Sequence, residues 1–468
     1  MSGSSRSRRP DRRPREAPLF GGVLIANRGE IALRVARTCR ELGLRVIAVH
    51  STEDRHSAVA RYADEAVQVG PAPARRSYLN IPALIEAASR TGAEAIHPGY
   101  GFLSEDPDFA EICEASGLTF IGPPAAVTRL LGDKIAARAV LADEGMPVLP
   151  GSREPVPAEE AARIAGTIGY PVIVKAAAGG GGRGMHVAAD PAGFADAYRK
   201  AQAAALTLFG DGRVYVERYL ESPRHVEVQV LADAHGNVVS LGERDCTVQR
   251  RHQKLVEETP VPALPPELTR RIAEAAVLGA RSVGYVGAGT FEFLVDTDRS
   301  FYFLEVNCRV QVEHPVTEMV TGIDIVREQL HIAAGRRLSM RQSDVMPRGV
   351  AIECRINAED PERGFAPTPG PLTGFAAPGG PFVRVDTHCF PGYRIPAAYD
   401  SLLAKLVVWA PDRPQALARM RRALAEFRVE GPGVRTTLPF LEEVLDHPLF
   451  LSAEHGTGLV GDMLSSGP

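Results

Sequence analysis

The chain has 468 residues, 45% hydrophobic and 24% charged, long enough for one large domain or several ordinary ones, each with its own core. Its 53 basic and 57 acidic residues leave a formal net charge of −4, which disfavours a strongly basic nucleic-acid binder. No apolar run approaches the roughly 18 residues of a membrane span, and six scattered cysteines without a Cys-x-x-Cys pair read as reduced thiols of a cytoplasmic protein.

Residues 1–18 hold six arginines and three prolines with almost nothing apolar, the composition of a disordered tail. A transit peptide is the weaker reading, because Asp11 and Glu16 interrupt it. A strand over 22–26, a turn at 27–30, a helix over 31–42 and a strand over 45–50 predict a right-handed βαβ unit in a parallel sheet. The helix rests on Ile31, Val35, Cys39 and Leu42 at helical spacing. The pattern repeats more loosely through a helix near 81–90 and strands at 95–97 and 119–122. The first turn lacks Gly-x-Gly-x-x-Gly, so a dinucleotide site is not supported there.

A helix over 134–144 leads to a proline-punctuated linker at 145–151, then to a strand over 170–175 that runs into four glycines, Gly179, Gly180, Gly181 and Gly182. The stretch 149–219 reads as a small α+β unit. Residues 287–307 predict a hairpin, with strands over 289–295 and 301–307. Past 347 the chain is richer in glycine and proline, with strands near 350–356, 382–388 and 402–409. A last helical stretch covers 413–427.

Three clusters carry chemistry. The glycine run follows a strand ending in Lys175 and reads either as a flexible loop or as a lid whose backbone N–H groups cover phosphate. If the second hairpin strand continues extended, odd positions align Glu305, Asn307, Arg309, Gln311 and Glu313 on one face, opposite Glu292 between Phe291 and Phe293. That is either an edge strand with a solvated polar face or a set of hard oxygen ligands for Mg²⁺. The segment 243–254, ending in Arg-Arg-His-Gln-Lys254, reads as a basic surface patch or as an anion site using His252 and Lys254. Only five of the basic residues are lysines (134, 175, 200, 254 and 405), so each raises the question of a task that arginine cannot perform.

Several segments together resemble the biotin carboxylase family: Ile25-Ala-Asn-Arg-Gly-Glu-Ile-Ala, His97-Pro-Gly-Tyr-Gly-Phe-Leu-Ser-Glu105, Lys175 with its glycines, Arg250-Arg-His-Gln-Lys254, Glu305 through Pro315, and Glu353-Cys-Arg-Ile-Asn-Ala-Glu-Asp360. The resemblance runs from about residue 20 to 460. It implies an α/β architecture: a doubly wound parallel N-terminal domain over 19–132, an ATP-grasp domain over 133–346 with a mobile lid at 149–219, and a C-terminal α+β domain over 347–463. The implied reaction joins ATP, bicarbonate and biotin to give ADP, phosphate and carboxybiotin, the first half-reaction of acetyl-CoA or another acyl-CoA carboxylase in fatty-acid synthesis.

Position by position, the resemblance implies that Lys134, Lys175, His225 and His252 contact the phosphates or ribose of ATP, with Gly179 to Gly182 closing over them. Glu217, Arg218, Tyr219 and Leu220 hold adenine, and Gln249 and Leu294 complete the nucleotide site. Glu292, Glu305 and Asn307 bind Mg²⁺ or Mn²⁺. Lys254, Arg309, Gln311 and Val312 hold bicarbonate, Glu313 is the base, and Arg355 with Tyr100 receives biotin. Cys308 stands where the family usually has a small residue such as Thr, and Arg218 where Lys is frequent; an adenine contact from Leu459 is the loosest match.

None of the five lysines lies between methionines, as an attachment lysine would, so biotin is expected on a separate carrier protein, with separate carboxyltransferase subunits. The family implies a homodimer and neither nucleic-acid nor membrane partners. Three alternatives stay open on sequence alone: another ATP-grasp ligase that activates a carboxylate as an acylphosphate, a silent nucleotide-binding regulator and, weakest, a nucleic-acid module resting only on the Arg-rich tail and the 250–254 cluster.

Overall fold

The computed structural model describes residues 19–177 and 184–465. The Arg-rich tail at 1–18 and the four glycines Gly179 to Gly182 lie outside the described residues.

The N-terminal strands, buried except along the edge strand Glu65–Gly70, form a five-stranded parallel sheet in the order Glu65–Gly70, Arg45–Ser51, Gly22–Ile25, Ala95–His97, Thr119–Phe120. Alternate residues of the central strand serve opposite faces. Val23 and Ile25 pack with Ile31, Val35 and Cys39 on one side, while Leu24 packs with Ile47, Leu84 and Phe109 on the other. Gly29, at a φ of 68° that side chains resist, swings the chain from the first strand into the helix Gly29–Glu41.

The sheet that matters most for chemistry has eight strands, all antiparallel: Phe301–Asn307, Gly287–Val295, Arg224–Ala232, Val238–Arg250, Gln253–Thr259, Val350–Asn357, Leu402–Ala410 and Val383–Thr387. Its strands come from both sides of residue 347. Thr259 pairs with Ala351 and Glu257 with Glu353, so one pleated surface crosses the compositional change seen in the sequence. The segment 224–259, conspicuous in sequence for its charges, supplies three of the central strands.

Residues 156–218 build their own small core. The strands Met185–Ala188, Val172–Ala176 and Val214–Arg218 form an antiparallel sheet covered by the helices Ala158–Ile168 and Pro191–Phe209. Isolated bridges from Val148 to Phe303 and from Gly151 to Glu217 tie the linker to the hairpin on one side and to this unit on the other.

Two sequence expectations need correction. The hairpin's second strand ends at Asn307 rather than continuing to 313; a loop follows, and the helix His314–Thr321 begins with Pro315 in its first turn. The helix Arg413–Glu426 is not the last. Leu438–Asp446, Pro448–Leu451 and Leu459–Ser465 follow it, two of them with a proline in the first turn, where the missing N–H costs nothing.

A buried ion pair of the N-terminal domain also reaches the C-terminal segment through its arginine. Arg28 Nε donates to Asp54 Oδ2 at 2.7 Å and its Nη2 to Oδ1 at 3.0 Å, both residues being buried. Tyr78 donates to the same carboxylate at 2.6 Å, and the guanidinium stacks 4.2 Å from the ring centre of Tyr399 and donates to Tyr393. Burial opposes ionisation of Asp54, but Arg28 and Tyr78 outweigh it and hold the carboxyl below its ordinary pKa. The stability this lends is therefore present above about pH 4 and lost as the pH falls through the lowered folded value. Asp54→Asn is expected to cost roughly 3 kcal/mol in urea denaturation at pH 7, a gap from wild type that closes toward pH 3. An equal gap at both pH values would contradict this.

Candidate functional site

The strand Arg224–Ala232 alternates: Val226, Val228 and Val230 enter the hydrophobic core, leaving His225, Glu227 and Gln229 on the opposite face. Register then lines up polar partners across the sheet. Glu305 faces Glu292, Glu292 faces Glu227, and Glu227 faces Arg244. Acids on adjacent strands of a buried sheet repel unless cations lie between them.

Lys254 is the shared cation. Its Nζ lies 2.6 Å from Glu313 Oε1, 3.0 Å from Glu292 Oε1 and 2.5 Å from Glu227 Oε2. Arg244, wholly buried, donates to Glu227 at 2.5 Å, to Gln229 at 2.9 Å and to Thr317 at 3.0 Å. Arg355 bridges Glu313 at 2.9 Å and Glu257 at 2.6 Å. Although the backbone leaves the sheet after Asn307, Asn307 and Gln311 both donate to Glu292 Oε1, at 2.8 and 3.1 Å. Arg309 donates to Gln311 at 2.9 Å, to Asn307 at 3.0 Å and to Glu105 at 2.8 Å. The odd-numbered residues converge through a loop instead of a strand face.

The charges set the proton affinities. Burial alone would raise Glu313, but Lys254 and Arg355 hold it well below the usual carboxylate range. Glu292 is likewise lowered, against burial, by Lys254 and His225. His225 Nε2 lies 2.8 Å from Glu292, whose charge overcomes burial and raises the imidazole pKa. Glu257 is pushed up to about 7 by burial, with Glu313 adding to the rise against the pull of Arg355. Glu353, fully buried with neither carboxylate oxygen hydrogen-bonded, is driven well above its ordinary value by burial and by Glu257.

The remaining candidates surround this cluster. Lys134 lies 2.6 Å from Glu305, and Lys175 pairs with Glu217. Gln249 contacts His225 Nδ1 at 3.2 Å, and Leu294 sits beside His225 in register. Leu220 is buried, while Tyr219 is half-buried with its N–H on Pro171. Arg218 is exposed, 3.8 Å from Asp296, and His252 is exposed at the hairpin tip with a φ of 66°. Val312 offers its carbonyl to Lys405 at 2.9 Å. Tyr100 donates to Glu30 rather than to the Lys254 cluster, and Glu30 lies 3.0 Å from the same Lys405. Leu459 is buried in the C-terminal core among Val248 and Val256. Cys308 is buried, and its N–H donates to Glu105 at 2.9 Å.

For a divalent cation, Glu292 and Glu305 offer hard oxygens on facing strands, and ligand atoms of His225, Glu227 and Glu292 lie within 4.8 Å of one another. The donor set fits Mg²⁺ with one adjustment. Asn307 aims its amide nitrogen at Glu292, so ligation through its oxygen requires the amide to turn over.

Sequence reading assigned no role in the site to Glu227, Arg244, Glu257, Glu105 or Lys405. The His-x-Glu-x-Gln alternation at 225–229 was a usable signal for Glu227, as was the lysine inside the apolar run 402–410 for Lys405. Arg244 and Glu257 are visible only once the strand register is known.

Comparison with known proteins follows the same lines. The family descriptions "Biotin carboxylase, N-terminal domain", "Carbamoyl-phosphate synthase L chain, ATP binding domain" and "Biotin carboxylase C-terminal domain" match residues 19–128, 133–341 and 353–462. A biotin carboxylase of a Nostoc species is 52% identical over 445 residues, covering 95% of this chain and 99% of the relative. The crystal structure of a Campylobacter jejuni biotin carboxylase–beta-gamma-ATP complex superposes with a TM-score of 0.92 at 47% identity, covering 95% of this chain and 99% of that one. The biotin carboxylase domain dimer of Hydrogenobacter thermophilus 2-oxoglutarate carboxylase, in complex with MgADP and bicarbonate, gives 0.91 at 46% identity, covering 95% and 97%.

Arg244→Met is expected to leave Glu227 with Lys254 alone and to cost about 3 kcal/mol in urea denaturation. Adding Glu227→Gln should recover part of that loss. An unchanged midpoint in the single variant would show that the pair carries no such weight.

Proposed function

This chain belongs to the biotin carboxylase family and carries out the ATP-dependent carboxylation of biotin by bicarbonate, and we propose how its own residues divide that work. The convergence of three carboxylates and Arg355 around Lys254 is the observation that carries the assignment.

Lys134, Lys175, His225 and His252 bind the nucleotide's phosphates and ribose under Gly179 to Gly182, with Gln249 and Leu294 beside them and Glu217 to Leu220 against adenine. Glu292, Glu305 and Asn307 hold Mg²⁺, which offsets charge on the transferring phosphoryl group when bound. Lys254, Arg309, Gln311 and the Val312 backbone hold bicarbonate. A bicarbonate oxygen attacks the γ-phosphorus while Glu313 takes its proton, giving carboxyphosphate and ADP. Carboxyphosphate breaks to CO₂ and phosphate, and the phosphate removes the proton from biotin N1. Arg355 then faces the ureido oxygen as negative charge develops, and N1 attacks CO₂. Tyr100 lines the biotin approach.

The depressed pKa of Glu313 has a place in this scheme. With Lys254 and Arg355 on it, Glu313 is fully ionised but weakly basic. When Lys254 turns to bicarbonate and Arg355 to biotin, both countercharges leave and its basicity rises where a proton must be taken.

The proposed division is 19–132, 133–346 with a lid at 149–219, and 347–463. Biotin arrives on a separate carrier protein, and a carboxyltransferase passes the carboxyl group to acetyl-CoA, another acyl-CoA or pyruvate. A homodimer is supported by the dimeric Hydrogenobacter relative. Six buried, unpaired cysteines support a cytoplasmic setting. Among the described residues no helix is long and apolar enough to cross a membrane.

ADP release should require both bicarbonate and free biotin. Glu313→Gln should lower it by 10² or more, on the order of a lost general base, while ATP still binds. ATP hydrolysis that ignores bicarbonate, or full activity in the variant, would contradict the scheme.

A further inference from the structure

The nucleotide-facing lysines both rest on carboxylates, but the two carboxylates differ. Glu305, under Lys134, keeps a quarter of its side chain exposed and can be rehydrated when the lysine leaves. Glu217, under Lys175, is only 4% exposed. If Lys175 moves to a phosphate, a buried carboxylate stays behind, and an unpaired buried charge is strongly unfavourable. A second cation already waits there. Arg138 Nη1 lies 3.1 Å from Glu217 Oε2, on the oxygen opposite the one that Lys175 holds.

Arg138 is placed to stay. It lies one helical turn after Lys134 on the helix Lys134–Asp143, so both side chains point to the same side. Its Nη2 also donates to the carbonyl of Leu149 in the linker, which anchors the guanidinium independently of Lys175. A cavity of about 190 Å³ beside it, lined by Ile135, Val148 and Tyr215, leaves room for a replacement side chain.

We propose that Arg138 is a positioning residue that keeps Glu217 neutralised when Lys175 is released to the nucleotide, so that it lowers the cost of binding ATP without touching it. This rests on the reading that Lys175 binds the phosphates. The site in the ligand-free protein is thus a three-membered exchange: Glu217 holds two cations and gives one up.

Calorimetric titration of ATP into the full chain tests it with four variants. Lys175→Met should weaken ATP binding; unchanged affinity would overturn the phosphate reading and the inference with it. Arg138→Met should weaken ATP binding roughly tenfold or more, the scale expected of coupled neighbours, with the KM for bicarbonate unchanged. Glu217→Gln alone measures any contribution of that side chain to the adenine site; measured against it, Arg138→Met in the double variant should cost little further affinity, because no buried charge then holds Lys175 back. A merely structural Arg138 would lower the melting temperature without this dependence on Glu217. Wild-type affinity in Arg138→Met, beside a weakened Lys175→Met, would overturn the inference and leave the phosphate reading standing; a loss that Glu217→Gln does not relieve would also overturn it. If Arg138→Met does not fold, Arg138→Lys, expected near wild-type affinity, against Arg138→Gln, expected to show the loss, carries the same contrast.

Discussion

Everything at the centre of this protein depends on one balance: buried carboxylates, from neighbouring strands and from the loop after Asn307, held together by cations that they share. Lys254 is shared among Glu227, Glu292 and Glu313, and Arg355 between Glu257 and Glu313. An apolar interior would make such a cluster ruinous without this sharing. With it, each cation already sits close to where its ligand must bind, on carboxylates from which it can turn. A preorganised site of this kind needs little rearrangement at the moment of reaction.

The continuous sheet makes the sharing geometrically feasible. Pairing of Gln253–Thr259 with Val350–Asn357 places Arg355 beside the lysine strand, though a hundred residues separate them in sequence. The next strand supplies Lys405, fully buried, which reaches both Val312 and Glu30. Glu30 in turn accepts from Tyr100. The loop at 310–313 and the tyrosine are thereby held by one ammonium group, linking the proposed bicarbonate and biotin ends of the cleft.

Local pattern made much of this legible. The βαβ start, the hairpin at 287–307 and the strands past 347 follow from hydrophobic periodicity, and the rarity of lysine pointed at Lys134, Lys175 and Lys254. What stayed hidden depends on pairing. Arg244 looks like one more arginine in a basic run until register puts it opposite Glu227 in the interior. The alternation argument for 305–313 reached a convergent set by a wrong route. The strand stops at Asn307, and it is hydrogen bonding to Glu292, not pleat, that turns Gln311 inward. Prolines 439 and 448 open helices, because a first-turn proline has no hydrogen bond to lose.

The central claim is that the cleft's cations are parked on carboxylates and move to ligand oxygens. A crystal structure of this chain with a non-hydrolysable MgATP analogue and bicarbonate tests it most directly. The account predicts Lys134 and Lys175 on phosphate oxygens, bicarbonate between Lys254 and Arg309, and Glu313 within hydrogen-bonding distance of that anion. Both lysines still seated on Glu305 and Glu217 with nucleotide bound, or bicarbonate lodged away from Glu313, would contradict it.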